Sequence, residues 1–285
     1  MSKEKKSLLI FYGITLSVSL IFELLYIYTK SDLFVSLLMW VPGITGIVCS
    51  KVFFRNQGAL GFKFKVRPLY IILSIVIPAF YLVLTYALAW VVLKDPTTGV
   101  DTLPKAVLGE WGEGIPGGTY IAVSFIPLLI SSALSAAGEE LGWRGFAYPV
   151  LEKEFGKVKA VIINGFIWAL WHLPLILGDV YQSKVNIVYG IIAFIVLVML
   201  VTVIYCWTRS VSGSVIPAIL LHSVHNELDQ LYLQPLSSNE KVPYYAGEQG
   251  IFTIAVVAII VVLVIVVWKK QSKSMNTAYI TLEEK

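Results

Sequence analysis

Long apolar stretches separated by short polar connections dominate the hydropathy pattern of this 285-residue chain. A helix that crosses a hydrocarbon core ~30 Å thick needs about 20 mainly apolar residues. Eight stretches meet this requirement, and they lie near residues 7–29, 33–54, 68–93, 119–144, 158–177, 186–208, 211–231 and 250–268. The pattern therefore predicts an all-α fold, a polytopic transmembrane helical bundle of about eight spans.

Composition agrees with a bilayer environment. Hydrophobic residues make up 57% of the chain and charged residues only 14%, which leaves too little polar surface for a soluble protein of this size. The two cysteines, Cys49 and Cys206, lie in apolar stretches, so they indicate neither a disulfide framework nor a zinc ribbon. No nucleic-acid-binding motif accompanies the net charge of +4.

The distribution of basic residues predicts the orientation. An even number of spans places both termini on one side, and basic residues concentrate on the cytoplasmic side of membrane proteins. With the amino terminus inside, the cytoplasmic basic residues are Lys3, Lys5, Lys6, Lys51, Arg55, Lys63, Lys65, Arg67, Arg144, Lys153, Lys157, Lys159, Arg209, Lys269, Lys270, Lys273 and Lys285. The external ones are then only Lys30, Lys94, Lys105, Lys184 and Lys241. We expect a multi-pass protein of a bacterial plasma membrane with both termini in the cytoplasm.

The chain has no detectable repeat and is expected to form one integral domain with three parts. Residues 1–118 supply the first helices and an external loop, 94–118, that is rich in Gly and Pro. Residues 119–231 form the core of the domain. Residues 232–285 supply a second external loop, the last helix and a cytoplasmic tail.

Ionisable residues inside the predicted spans require a reason, because a charge at mid-bilayer costs ~2.5–3.5 kcal/mol. They are most frequent in the core, where they include Glu139, Glu140 and Arg144 in the fourth span, His172 in the fifth, and His222 and His225, with the polar Asn226, in the seventh. Glu23 in the first span is an isolated exception, for which we expect a packing role or a place near the interface. The concentration predicts a polar site inside the bilayer.

Helical spacing divides these residues into roles. Glu140 and Arg144 are four residues apart with the acid first, the favoured order for an ion pair on one face. Glu139 points about 100° away from Glu140 and is free to contact water or substrate. His222 and Asn226 share a face, and His225 lies off its centre, which favours a structural role for His225.

These residue types suit hydrolysis of a carbonyl compound. A carboxylate and a neutral imidazole that converge on one water can polarise it for attack. A histidine and an amide side chain can donate hydrogen bonds to the oxyanion that forms. The same residues also occur as hydrogen-bonding contacts between helices and as proton relays in transporters, although no inverted repeat supports a transporter.

Three motifs in this order resemble those of the CAAX protease and bacteriocin-processing family of intramembrane endopeptidases, which includes the type II CAAX prenyl endopeptidases. They are E-E-x-x-x-R from Glu139 to Arg144, His172 with an aromatic residue four positions earlier, and His222-x-x-x-Asn226, and together they cover about 130–230. The position four residues before the histidine is commonly Phe in the family and is Trp168 here. We expect that difference to alter only the shape of the pocket, and we expect packing or interface anchoring for Trp143, Trp168 and Trp171.

The resemblance implies an endopeptidase that cleaves membrane-associated substrates, prenylated ones among them, within the lipid bilayer. Glu139 and His172 would activate the water, His222 and Asn226 would form the oxyanion site, and Glu140 and Arg144 would support them. No cofactor is required by this glutamate mechanism. A zinc mechanism stays open, with Glu139, His172 and His222 as ligands. The alternatives are a non-catalytic immunity or scaffold protein and, third, a transporter.

The boundaries of the fourth and fifth spans conflict with a shared site. Glu139 lies five residues before Arg144, roughly 7 Å along its helix, whereas His172 lies fourteen after Val158, roughly 20 Å along its own. The two side chains meet if the fourth helix continues past Arg144 towards Pro149, or if the fifth helix is tilted or starts below the membrane, and we favour the first because Phe146, Val150 and Leu151 suit a continued helix. The sequence therefore predicts a longer fourth helix than its apolar stretch alone suggests.

Overall fold

The computed structural model describes residues 1–55, 59–95, 97–181 and 185–283, with side chains up to Gln271 apart from that of Ala59. Lys184 and Lys285, which entered the charge argument, lie outside the described residues, as does the side chain of Lys273. The α-helices are α1 (Lys3–Thr29), α2 (Asp32–Phe54), α3 (Pro68–Leu93), α4 (Leu103–Leu108), α5 (Gly117–Glu140), α6 (Tyr148–Phe155), α7 (Lys157–Trp171), α8 (Leu173–Leu177), α9 (Ile187–Ser212), α10 (Ile216–Asn226) and α11 (Ile251–Glu283).

The predicted all-α membrane architecture is confirmed. In the described part of the chain, seven helical segments are long and apolar enough to cross a membrane: Lys3–Thr29, Asp32–Phe54, Pro68–Leu93, Gly117–Phe155, Lys157–Leu177, Ile187–Ser212 and Ile251–Gln271. Many of their leucine, isoleucine and valine side chains face outward and are exposed, as lipid contact requires. The orientation of the termini stays a prediction.

The predicted seventh span, 211–231, differs from the other seven. It is a helix that starts at Ile216 and continues through a π-helical segment, Glu227–Leu233, and it is too polar to count with the apolar helices. At one end the N–H of Val215 donates to the carbonyl of Gly61 at 2.8 Å, and just beyond the other Leu236 accepts from the N–H of Thr98 at 2.9 Å. The helix therefore runs the length of the bundle, and α3, α5 and α9 surround it.

The fourth helix is longer than its apolar stretch, as the depth argument required. The predicted end at residue 144 is wrong, because α5 continues through a π-helical segment, Leu141–Ala147, into α6 and ends at Phe155. Every residue of that π-helical segment is buried. Pro149 lies inside this continuous helix and has no N–H to donate, and in this region the side-chain Nε of Arg209 donates to the carbonyl of Arg144 at 3.1 Å.

Close packing of α2 against α5 depends on glycine. A methyl group at Gly138 would lie 2.5 Å from the carbonyl oxygen of Met39, and one at Gly142 would lie 2.5 Å from the backbone of Pro42. Both distances are too short for a real side chain. The backbone of α2 therefore lies directly against the acidic helix, and this close packing shields that side of the bundle from lipid.

The two ends of the bundle differ in charge. One end carries the start of α1, the 63–67 connection and the α6–α7 corner, and it holds most of the described basic residues; we call it the basic end. There Lys5 lies 3.3 Å from Glu154, and Lys153 lies 2.6 Å from Glu4. The opposite end carries the α1–α2 turn, the 97–116 connection and the 234–250 connection.

Asp95 ties two connections together at the opposite end. Its carboxylate accepts hydrogen bonds from the backbone N–H groups of Thr97, Ser238 and Asn239 at 3.1, 3.1 and 3.0 Å, and from the Ser238 hydroxyl. Burial alone would raise the pKa of Asp95, but these hydrogen bonds outweigh burial and hold its pKa below the ordinary value. The ionised carboxylate therefore anchors the 234–250 connection to the end of α3.

Candidate active site

A buried ion pair organises the end of α5. The Arg144 guanidinium donates to Oε1 of Glu140 at 2.9 Å, and neither side chain has any exposed surface. Nδ1 of His222 lies 3.0 Å from the same oxygen, and Arg144 also donates to the hydroxyl of Thr202 at 3.1 Å. The predicted ion pair is confirmed, and it reaches from α5 to α9 and α10.

Trp168 links that ion pair to Glu139. The Arg144 guanidinium lies over the indole ring at 3.9 Å and over the Tyr205 ring at 4.8 Å. The indole N–H of Trp168 donates to Oε2 of Glu139 at 2.9 Å. Trp168 is buried and packed, as expected, but the expectation that Trp in place of Phe alters only the shape of the pocket is wrong, because the indole nitrogen holds the carboxylate that the motif singles out.

His172 lies at the break between α7 and α8. Its Nδ1 is 2.8 Å from the carbonyl oxygen of Trp168. A carbonyl oxygen only accepts, so Nδ1 must carry the proton, and in the neutral ring Nε2 keeps a free lone pair. The rings of Tyr181 and Phe194 contact the imidazole at centroid distances of 5.6 and 5.1 Å. The break in the helix and these contacts fix the ring with one basic nitrogen free.

His222 and Asn226 share one face of α10, as their spacing predicts. Nε2 of His222 lies 3.8 Å from Oε1 of Glu139, so the imidazole stands between the two acids of the motif. Asn226 is half-buried one turn further along the helix.

A cavity of about 250 Å³ collects the predicted residues. Its lining includes Glu139, His172, His222 and Asn226, the four residues that the sequence singles out for water activation and for the oxyanion site. A second cavity of about 30 Å³ is lined by His172, His222 and Asn226 and by two further polar residues, His225 and Glu248. The structure thus brings together all four predicted side chains around one space.

The larger cavity extends towards the opposite end of the bundle. Its lining includes Tyr26 near the end of α1, Val35 and Ser36 in the first turns of α2, and Tyr181 after α8. Ser36 is exposed, so the cavity reaches the surface beside α2. Towards the basic end, residues 141–148 are all buried and close the space below Glu139.

A second polar cluster lies beside this site, and most of it was not predicted. His225 forms a 2.6 Å hydrogen bond with the Tyr81 hydroxyl through Nδ1, and its Nε2 lies 3.6 Å from Glu248. Asp229 joins them. The four-residue spacing from His225 to Asp229 on one helix could have identified Asp229, but Glu248 comes from the 234–250 connection, for which the sequence offers no pattern.

The geometry bears on where a metal ion would fit. Among the described residues, the group of potential ligands whose ligand atoms all lie within 4.8 Å of one another is His225, Asp229 and Glu248. Glu139, His172 and His222, the three ligands that a zinc mechanism would use, do not form such a group among the described residues.

Glu23, the isolated acid of the first span, is buried on α1 with 2% of its surface exposed.

Comparison with known proteins agrees with this geometry. The family model described as type II CAAX prenyl endopeptidase Rce1-like matches residues 121–228. A relative named CAAX prenyl protease 2, from Methanococcus maripaludis, is 35% identical over 114 residues, which is 39% of this chain and 42% of the relative. The matched region thus spans less than half of either protein. The resemblance indicated by the three motifs is confirmed over residues 121–228, the core of this chain, which match the Rce1-like family model.

Proposed function

We propose that this protein is an intramembrane endopeptidase of the CAAX-protease type that uses Glu139 and His172 to activate a water molecule. The observation that supports this most strongly is the single cavity lined by Glu139, His172, His222 and Asn226, which come from three separate helical segments. The Rce1-like match over the same segments supports it further. Carboxylate, imidazole and amide groups around one space are what peptide hydrolysis requires.

Water activation follows from the two fixed side chains. Oε2 of Glu139 is held by the Trp168 indole, which leaves Oε1 to accept a proton. Nε2 of His172 carries a free lone pair because Nδ1 donates to the Trp168 carbonyl. A water bound between them loses a proton to Glu139 as its oxygen bonds to the peptide carbonyl carbon.

His222 and Asn226 stabilise the oxyanion. Nδ1 of His222 faces Glu140, so Nε2 donates to the oxyanion when the ring is doubly protonated, a form that the neighbouring carboxylates stabilise. The amide of Asn226 supplies a second donor. As the carbonyl re-forms, the C–N bond breaks and the proton held by Glu139 passes to the leaving nitrogen, which restores the starting carboxylate.

The finer proposal is a glutamate mechanism, with no ion in the path of the proton. It is supported by the position of the ligand atoms, since Glu139, His172 and His222 do not form a compact ligand group in the described part of the chain.

We also propose that substrates enter from the end opposite the basic end. The cavity is lined there by Tyr26, Val35 and Tyr181, and the buried segment 141–148 closes the basic end. If the basic end faces the cytoplasm, as the positive-inside bias predicts, the cavity opens towards the external half of the bilayer. The substrate class is then an extended segment of a membrane-associated peptide, prenylated or not, that reaches that half.

Activity is tested with purified protein in detergent and a fluorescent membrane peptide that is unstructured around its cleavage site. Glu139→Gln preserves shape and removes the base, so the rate should fall ~10²–10⁴-fold. Glu23→Gln is the matched control, because Glu23 is also a buried glutamate but does not line the cavity. A protein that acts by binding alone, such as an immunity protein, would show no turnover, and the two substitutions would then be equivalent.

The side of entry is tested separately, in proteoliposomes whose protein orientation is measured by protease protection of the tail. A water-soluble peptide substrate added outside should be cleaved by the molecules whose tail is enclosed. Cleavage only by molecules with the tail outside would contradict the entry side and leave the hydrolytic proposal intact.

A further inference from the structure

The cluster of His225, Asp229 and Glu248 has the composition of a transition-metal site. One imidazole nitrogen and two carboxylate oxygens lie within 4.8 Å of one another, and the two helix residues are buried. Nitrogen and oxygen ligands in this ratio suit zinc and similar ions, whereas calcium and magnesium prefer oxygen alone. The cluster has no place in the water-activation mechanism proposed above.

Outer hydroxyl groups orient each of the three side chains. The Tyr86 hydroxyl donates to Oδ1 of Asp229 at 2.7 Å, and the Tyr181 hydroxyl donates to Oε1 of Glu248 at 2.8 Å. The hydrogen bond between Tyr81 and Nδ1 of His225 leaves Nε2 to face Glu248. Metal ligands are characteristically oriented by such outer hydrogen bonds. In His225 the bond uses the ring nitrogen that faces away from Glu248, whereas in Glu248 it uses Oε1, which also accepts from the Gln230 amide at 3.2 Å and leaves Oε2 for an ion.

Charge also favours a cation in this cluster. Asp229 is 3% exposed, and the Glu248 side chain is 14% exposed. Within the described residues neither carboxylate has a lysine or arginine partner, and His225 is the basic group that faces Glu248. Two buried carboxylates beside a single imidazole are costly unless a positive charge balances them. A divalent ion supplies that charge.

The backbone is shaped to bring Glu248 to the cluster. Gly247 has a φ of +80°, a conformation that favours glycine, and a methyl group there would lie 2.8 Å from the Tyr86 hydroxyl and 3.1 Å from Oδ1 of Asp229. The 234–250 connection thus passes directly over the two helix residues. The adjoining cavity of about 30 Å³, lined by His225 and Glu248, is large enough for a water as a fourth ligand.

We propose that His225, Asp229 and Glu248 bind one divalent transition-metal ion of the zinc type. The ion links the 234–250 connection to α10 and so fixes Glu248, which lines the smaller cavity beside the hydrolytic residues. It is separate from the water-activating pair, and its existence does not depend on the proposed peptidase activity.

The test is Zn²⁺ binding to chelator-treated, tag-free protein in detergent, followed by calorimetry and by elemental analysis of the stoichiometry. Wild-type protein should bind one Zn²⁺, and Glu248→Gln and Asp229→Asn should each abolish that binding while size-exclusion profiles stay monodisperse. Tyr86→Phe should weaken affinity by ~10–100-fold, because it removes only an orienting hydroxyl. Cobalt in place of zinc should give the visible absorption of a four-coordinate site.

Glu139→Gln is the matched control, and it should bind Zn²⁺ as the wild type does. Loss of Zn²⁺ binding in Glu139→Gln would show that the ion binds at the hydrolytic residues, and it would overturn the proposal. Absence of Zn²⁺ binding in folded wild-type protein would overturn it as well and would leave a protonated His225 as the balancing charge. If Asp229→Asn fails to fold, Glu248→Gln, whose side chain comes from the connection, decides the question alone.

Discussion

The buried pair Glu140–Arg144 allows the most direct test of the energetics at this site. The two side chains are fully buried and 2.9 Å apart. At that separation, with an effective dielectric constant of ~20, their attraction is ~6 kcal/mol. Desolvation of both charges offsets much of this gain, so the pair contributes little net stability, but loss of either partner leaves the other charge buried and uncompensated.

We expect Glu140→Gln and Arg144→Met each to lower the free energy of unfolding by ~3–5 kcal/mol. The double variant removes both charges together, so it should be less destabilised than the sum of the two single variants by ~2–3 kcal/mol. The Arg144 variant should be the more damaging of the two, because it also removes the donor to Thr202 and the cation over the Trp168 ring.

Thermal unfolding in detergent, followed by intrinsic tryptophan fluorescence, measures these differences. With ~2–4 °C per kcal/mol for a chain of this size, each single variant should unfold ~6–20 °C below the wild type. Additivity of the two single effects within ~0.5 kcal/mol would refute the reasoning, as would single effects below ~1 kcal/mol. If one single variant does not accumulate, the double variant should accumulate to a higher level than that variant.

Three further predictions test the packing, the opposite end and the orientation of the base. Gly142→Ala should destabilise the protein by ~1–3 kcal/mol, because a methyl group would lie 2.5 Å from Pro42, whereas Gly13→Ala, with nothing within 4 Å, should be neutral or stabilising by up to ~1 kcal/mol in the same unfolding assay. Asp95→Asn should lower the free energy of unfolding at neutral pH. Because the pKa of Asp95 is lower in the folded state than in the unfolded chain, the carboxylate stabilises the fold above its ordinary pKa and loses that effect as the pH falls. The difference in unfolding free energy between wild type and variant should therefore narrow below pH ~4. Trp168→Phe should lower the kcat of peptide cleavage ~10-fold with KM nearly unchanged, because it removes the indole donor to Glu139 and keeps an aromatic ring; a change below about twofold would contradict that positioning role.

The hydropathy pattern and helical spacing predicted the elements that depend on local sequence. Seven of the eight predicted spans are apolar helices, and the i,i+4 spacing predicted the Glu140–Arg144 pair. The pattern could not give the end of the fourth helix, because residues 141–155 lose apolar character where they pack against protein. Helix continuation there depends on burial among neighbouring helices, which periodicity within one segment does not report.

Contacts between distant segments were the part that could not be predicted. Trp168 looked like a packing residue because its ring is apolar, and nothing in its own segment indicates that its nitrogen faces Glu139. Glu248 lies in a connection without periodicity and reaches His225 only through the turn at Gly247. Both contacts are decided by tertiary packing. The three motifs nevertheless predicted the four residues around the larger cavity, because their resemblance to a known family, and not any local pattern, implies that they share one site.

The polar helix 216–233 connects the architecture to the chemistry. Alone it is too polar to cross a bilayer, and four of its polar side chains each bond to a different neighbour: His222 to Glu140, His225 to Tyr81, Asp229 to Tyr86 and Tyr232 to Ser124. His222, His225 and Asp229 thus make this helix a poor membrane span, and they are also the residues that line the site or its border. It follows that the helix is stable in the membrane only once α3 and α5 have packed around it, so assembly of the bundle and formation of the site are one event.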